Sequence, residues 1–183
     1  MASIAGGRPL RVMFHDEARF GRISDPRSCW APSPIRPRVA LALVREYVYA
    51  YAAVSPLDGS LDWMIVEKMN TEMMNRFLDM IEARYPNEHI AMVLDSASSH
   101  RSKDLTFRDH VSLIRLPPYS PELNPVELLW DELREKEFVN KVFASLPAVV
   151  SQLEHGMNAL ELNKSAIKSL SAWPWIIGAI TSS

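Results

Sequence analysis

A chain of 183 residues, 48% hydrophobic and 23% charged, has the size of one domain and can bury roughly 70% of its unfolded surface, which excludes disordered, collagen-like and coiled-coil architectures. The net charge is −2, but the first 50 residues carry eight arginines against four acids and the remainder twelve basic against eighteen acidic residues, so a polyanionic partner must be held by a local patch. The single cysteine, Cys29, excludes a disulfide framework and a multi-cysteine zinc site, agrees with a reducing cytoplasm, and reads as a half-buried small apolar residue.

In chain order, residues 1–9 read as a tail and 10–183 as one domain. The tail has no apolar run long enough for a signal peptide, and prolines concentrate in two loops, 26–37 and 117–125. Residues 10–15 and 47–54 are rich in strand formers, and 61–66 returns as a hairpin partner after the turn from Ser55 to Gly59. Residues 39–44 are a further candidate edge strand. From Thr71 the period changes: Met73, Met74, Phe77, Leu78, Ile81 and Tyr85 fall at helical spacing, with Asn70 or Thr71 as N-cap and Pro86 as terminator. Residues 90–94 and 111–116 are continuous apolar runs, as in central parallel strands covered on both faces, with a short, helix-compatible segment at 102–109 between them. Two helices follow, over 125–138 and 147–160, and the most apolar C-terminal stretch, 173–180, is too short for a membrane span and is broken by Pro174 and Gly178. Strands, then alternating helix and strand, then helices make an α/β layered domain.

Three segments place a carboxylate where a strand or helix end meets a polar loop: residues 14–17 (FHDE), 93–96 (VLDS) and 124–127 (NPVE). Such carboxylates can converge on hard divalent cations, which prefer oxygen ligands, and two ions about 3.5–4 Å apart would serve phosphodiester chemistry. Each acid also has a purely structural reading. Asp16 and Glu17 are neighbours on a strand, so at most one points into a site. Asp95 suits a turn or a helix cap. With Asn124 as N-cap and Pro125 at the first helical position, Glu127 completes a capping box. Against that, Glu127, Asp131 and Glu135 form a ridge of like charge, which Arg134 and Lys136 relieve in part.

Together, the stretches FHDEARFG (14–21), YVYAYAAVSPLDG (47–59), MNTEMMNRFLDMI (69–81), VLDSASSH (93–100) and, above all, LPPYSPELNPVELLWDELREKEFVNKVF (116–143) resemble the catalytic domain of bacterial insertion-sequence transposases related to the mariner elements, of the DDE superfamily. The resemblance implies a ribonuclease-H-like fold, a mixed five-stranded sheet whose first three strands are antiparallel, with helices on both faces. It implies that Asp16, Asp95 and Glu127 hold two Mg2+ ions, with Mn2+ as substitute, and that Glu17 faces away. The implied reaction is cleavage at transposon ends followed by attack of the freed 3′-hydroxyl on target DNA.

The sequence departs from the family pattern at Ser96, where an asparagine is usual, in the 31 residues between Asp95 and Glu127, and after Trp30-Ala-Pro32, which lacks a following glycine. Relatives also carry helix-turn-helix modules upstream, so double-stranded DNA, a separate DNA-binding region and a second copy of the chain are the expected partners, in a bacterial cytoplasm beside the nucleoid. His100 either contacts the scissile phosphate or is a surface-loop residue. Arg19, Arg22, Arg27, Arg36 and Arg38 either track a DNA backbone or decorate a solvated loop. Trp130 reads as core, Tyr119 as part of the loop that delivers Glu127 and a DNA-contact candidate, and Trp173 and Trp175 as a cap on the core or a self-association surface. The alternative function is a catalytically silent fragment acting in dimerisation or regulation.

Overall fold

The computed structural model describes residues 3–4, 7–28, 30–95, 105–106 and 108–181. Six strands, β1 (Ser3–Ile4), β2 (Arg8–Ile23), β3 (Leu43–Ser55), β4 (Ser60–Val66), β5 (His89–Leu94) and β6 (Val111–Arg115), form one sheet with α1 (Thr71–Arg84), α2 (Val126–Glu137), α3 (Leu146–Leu162), α4 (Lys164–Ser171) and α5 (Pro174–Thr181) around it. The order across the sheet is β4-β3-β2-β5-β6, with the two-residue β1 paired off this path onto β2. Strands β2, β3 and β4 are antiparallel, and β5 and β6 run parallel to β2, the mixed five-stranded, ribonuclease-H-like arrangement expected from the sequence.

Both faces of the sheet are covered, and the strand alternation decides which residue faces which layer. On one face α1 lays Met74, Phe77, Leu78 and Ile81 over Met13, Tyr51, Ile90 and Met92. On the other, Leu129, Trp130 and Leu133 of α2 and Val149, Leu153 and Met157 of α3 pack on Phe14, Ala50, Ala52, Val54 and Val93. Each fully buried side chain of this size contributes about 1.5–3 kcal/mol, so tertiary burial rather than helix propensity holds these helices in place. Asn70 caps α1, its side chain accepting from the Met73 N–H at 2.9 Å.

Strand β2 runs eight residues beyond the apolar run that announces it, because Phe14, Ala18 and Phe20 continue the buried alternation through the charged HDEAR stretch while β3 pairs with it throughout. Residues 39–44 are not a separate edge strand; only Leu43 and Val44 are strand, as the start of β3. The run 111–116 is the outer strand β6, with Ile114 48% exposed, rather than a central strand covered on both faces. Helices α4 and α5 add to the two expected C-terminal helices. In α5 Ile176 is buried and the preceding Trp173 packs on the core, the capping role, while Trp175 stays half exposed. Cys29 and residues 102–104 and 107 lie outside the described residues, and the described remainder of the helix-compatible segment 102–109 is not helical.

Candidate active site

The two parallel-paired strands set the first two acids side by side. Phe14 is the register partner of Val93; the exposed Asp95 directly follows the last residue of β5, Leu94, and Asp16 stands two residues further along β2 on the Phe14 face. That face is the one α2 covers, so Glu127, in the first turn of α2, arrives above the same strand ends. Asp16, Asp95 and Glu127 line one pocket of about 500 Å³, walled by Leu116, Pro117, Pro118, Tyr119, Ser120, Pro121 and Asn124. His15 and Glu17, one residue to either side of Asp16, face α1 instead. The His15 ring stacks on Phe77 and Tyr51 with centroids 4.9 and 5.7 Å away, and its Nε2 lies 3.7 Å from Glu17 Oε1.

The start of α2 differs from the expected capping box. The helix begins at Val126 with Pro125 in the N-cap position and no side-chain capping bond from it. Asn124 Oδ1 accepts instead from the Val126 N–H at 3.2 Å, and the Asn124 N–H donates to the Pro121 carbonyl at 2.9 Å. The Asn124 N–H that a capping-box glutamate would satisfy is therefore already paired through a short 3₁₀ turn, Pro121–Leu123, and Glu127 is left for the pocket. Tyr119 precedes this turn at φ +58° and is fully exposed; a left-handed tyrosine costs roughly 1–2 kcal/mol, which the prolines on both sides help to hold.

Burial raises the Asp16 carboxyl to about 7, and the charge of Glu127 pushes the same way, against the indole N–H of Trp130, which donates to Asp16 Oδ2 at 2.8 Å. Glu127 is also raised, first by burial and then by Asp131 and Asp95, with Arg134 opposing. The like-charge ridge on α2 is thus only partly relieved: Arg134 reaches Asp131 at 4.0 Å, Arg27 pairs with Glu135 at 2.8 Å, and Lys136 pairs with Glu132 outside the ridge. Asp16 and Glu127, partly buried and each opposed by neighbouring carboxylates, together with the exposed Asp95 offer all-oxygen donors of one sign, a set that fits a hard divalent cation. Among the described residues, no group of three His, Cys, Asp or Glu side chains is gathered closely enough to hold an ion as it stands, so the trio would have to draw inward around one.

The other expected site residues are scattered. The exposed Arg19 guanidinium lies 4.5 Å from the Tyr47 ring centroid. Arg22 donates to the Phe143 and Ala144 carbonyls and to Glu46, bracing β2 against the α2–α3 connection, and Arg27 also pairs with Asp25. His100 and Ser96 lie outside the described residues. Trp130 is core, as read, and Asn124 does accept from the first N–H of α2; what sequence reasoning missed is that their side chains also bond to Asp16 and to the His15 carbonyl. The signal was their spacing around Glu127, since a side chain three residues along a helix lies on the same face.

The family model for DDE superfamily endonucleases matches residues 11–149. A relative from Sinorhizobium fredii (strain NBRC 101917 / NGR234), "Uncharacterized protein y4pE/y4sA", is 30% identical over 130 residues, covering 70% of this chain and 96% of its own. The mariner Mos1 paired-end complex with Mg superposes on 89% of this chain and 56% of its own with a TM-score of 0.59 at 15% identity. The Mos1 paired-end complex with Mn gives 0.57 at 14% identity over the same shares. The simian T-cell lymphotropic virus intasome gives 0.53 at 10% identity, over 86% of this chain and 49% of its own. At these identities the likeness is one of fold, and the chain spans about half the length of the solved transposase chains it matches. Among the described residues no helix is long and apolar enough to cross a membrane.

Proposed function

This chain belongs to the DDE superfamily of endonucleases, and on that footing we propose that residues 10–183 are a transposase catalytic domain that cuts DNA at transposon ends and joins the freed 3′-hydroxyl to target DNA, the segment 1–9 adding β1 and the first two residues of β2 to its sheet. Asp16, Asp95 and Glu127 would hold two divalent ions, Mg2+ or its substitute Mn2+. Such ions activate a water or hydroxyl for attack and stabilise the leaving oxygen. The observation that carries the reading is the convergence of these three acids on one pocket, where burial and then the charge of Glu127 hold Asp16 at about 7. Trp130 keeps Asp16 hydrogen-bonded, and the Pro117 and Pro118 walls narrow the approach to the acids.

For DNA contact we propose the exposed Arg19, Tyr119 and Arg27, with His100 at the scissile phosphate; Arg22 would reach DNA only by giving up two backbone carbonyls. A second copy of the chain and a helix-turn-helix region would supply end recognition, and the reaction would take place in the cytoplasm at the nucleoid. The test is nicking of supercoiled plasmid in Mn2+. Wild-type protein should nick it, and Asp16→Asn and Glu127→Gln should each lose the activity; undiminished nicking by both variants contradicts the assignment. The silent-fragment alternative has one observation in its favour, that no three ligand side chains among the described residues are already gathered, and it predicts no Mn2+ binding by calorimetry.

A further inference from the structure

We propose that Trp130 and Asn124 are positioning residues that lock Asp16 and Glu127 into one relative geometry, an inference that rests on the metal-binding reading above. Asn124 is 4% exposed and its amide makes two bonds of opposite polarity. Its Nδ2 donates to the His15 carbonyl at 2.9 Å, and its Oδ1 accepts from the Val126 N–H at 3.2 Å. The residue before Asp16 and the residue before Glu127 are therefore tied through a single side chain. A carboxylate at 124 would lack the donor, and an alkyl group would lack both halves. Trp130 supplies the second tie. Helix side chains lean toward the N-terminus, so this indole, one turn beyond Glu127, reaches back over the first turn and gives its N–H to Asp16 Oδ2 at 2.8 Å.

The consequence is mechanical. Two like-charged carboxylates in one pocket would relax by swinging or shifting apart. Rotation of Asp16 about its Cα–Cβ bond gives up the indole bond, and withdrawal of α2 from β2 breaks the Asn124 bridge. Trp130 is 1% exposed, and its ring sits edge-on to Phe20 with centroids 5.9 Å apart, so the donor has little freedom to follow a moving carboxylate. Pre-set donors of this kind orient ligand side chains that their own rotamers leave loose.

Trp130→Phe keeps an aromatic ring in the core and removes only the N–H, whereas Asn124→Ala removes the bridge. Met157→Ala, in α3 and away from the acids, serves as a control that weakens the same core. Calorimetric titration with Mn2+ should find the dissociation constant raised at least tenfold by Trp130→Phe and by Asn124→Ala, and within twofold of wild type for Met157→Ala. In metal-free urea unfolding, Trp130→Phe and Asp16→Ala should be non-additive by at least fivefold in the unfolding constant. Should Asn124→Ala fail to fold, Trp130→Phe decides alone. Mn2+ affinity within twofold of wild type in Trp130→Phe, or an additive cycle while wild type still binds Mn2+, overturns this inference and leaves the metal reading standing. A folded wild type that binds no Mn2+ overturns both.

Discussion

Asp16→Asn should stabilise the metal-free protein, and more so as the pH rises. The folded chain holds this carboxyl at about 7 against an ordinary 3.8, so between those values the native state binds a proton that the unfolded chain has released. Stability must therefore fall as pH climbs through that window, and the full penalty is in place above it. Asparagine stands in for the protonated acid and still offers an oxygen to the Trp130 N–H. The advantage of the variant should grow from about 1.5 kcal/mol at pH 5 to about 4 kcal/mol at pH 8.5. Urea unfolding of both proteins in EDTA at the two pH values measures it. A variant no more stable than wild type at pH 8.5, or a gap independent of pH, would refute the argument that burial and Glu127 oppose the Asp16 charge. Added Mn2+ should then stabilise wild type and leave Asp16→Asn nearly unmoved.

Further outcomes follow from other parts of the fold. Arg22→Ala, losing bonds to Phe143, Ala144 and Glu46, should cost about 1–2 kcal/mol of stability with little change in the salt dependence of DNA binding. Arg19→Ala should do the reverse, flattening that dependence by about 0.9 in log–log slope, measured by fluorescence anisotropy against salt. Asp58 is held down at about 2, the Ser60 and Arg11 hydrogen bonds outweighing burial. Its contribution is present above the ordinary carboxylate range and lost as pH falls through about 2; with the side chain 42% exposed, Asp58→Asn should cost only about 0.5–1 kcal/mol at pH 7. Gly59→Ala should cost about 2–3 kcal/mol in the same urea assay, because φ is +73° and the new Cβ would sit 2.2 Å from the Lys164 carbonyl oxygen.

Periodicity located β3, β4, β5, α1 and α3 because each carries a regular apolar pattern whose period matches its geometry. It underestimated β2, where the alternation is carried by Ala18 and Phe20 between charged residues, and it missed α4, whose inward set is little more than Ile167 and Ser171. The apolar run of β6 reads as interior when it stands at the sheet edge, because a run of this kind records hydrophobicity and not neighbours. The three candidate acids stand out through their motifs, and the fold then brings them to one pocket. What the sequence could not display is how Trp130 and Asn124 tie the start of α2 to β2 at Asp16 and His15. A buried amide reads as a cap and a buried indole as core until the chain folds and both are found against β2.

The central claim, that three carboxylates remote in sequence share divalent ions, is tested most directly by crystals grown with Mn2+ and measured near the manganese absorption edge. The account predicts anomalous density bonded to carboxylate oxygens of Asp16, Asp95 and Glu127 together. Manganese bound elsewhere, or touching only one of the three at saturating concentration, would contradict it.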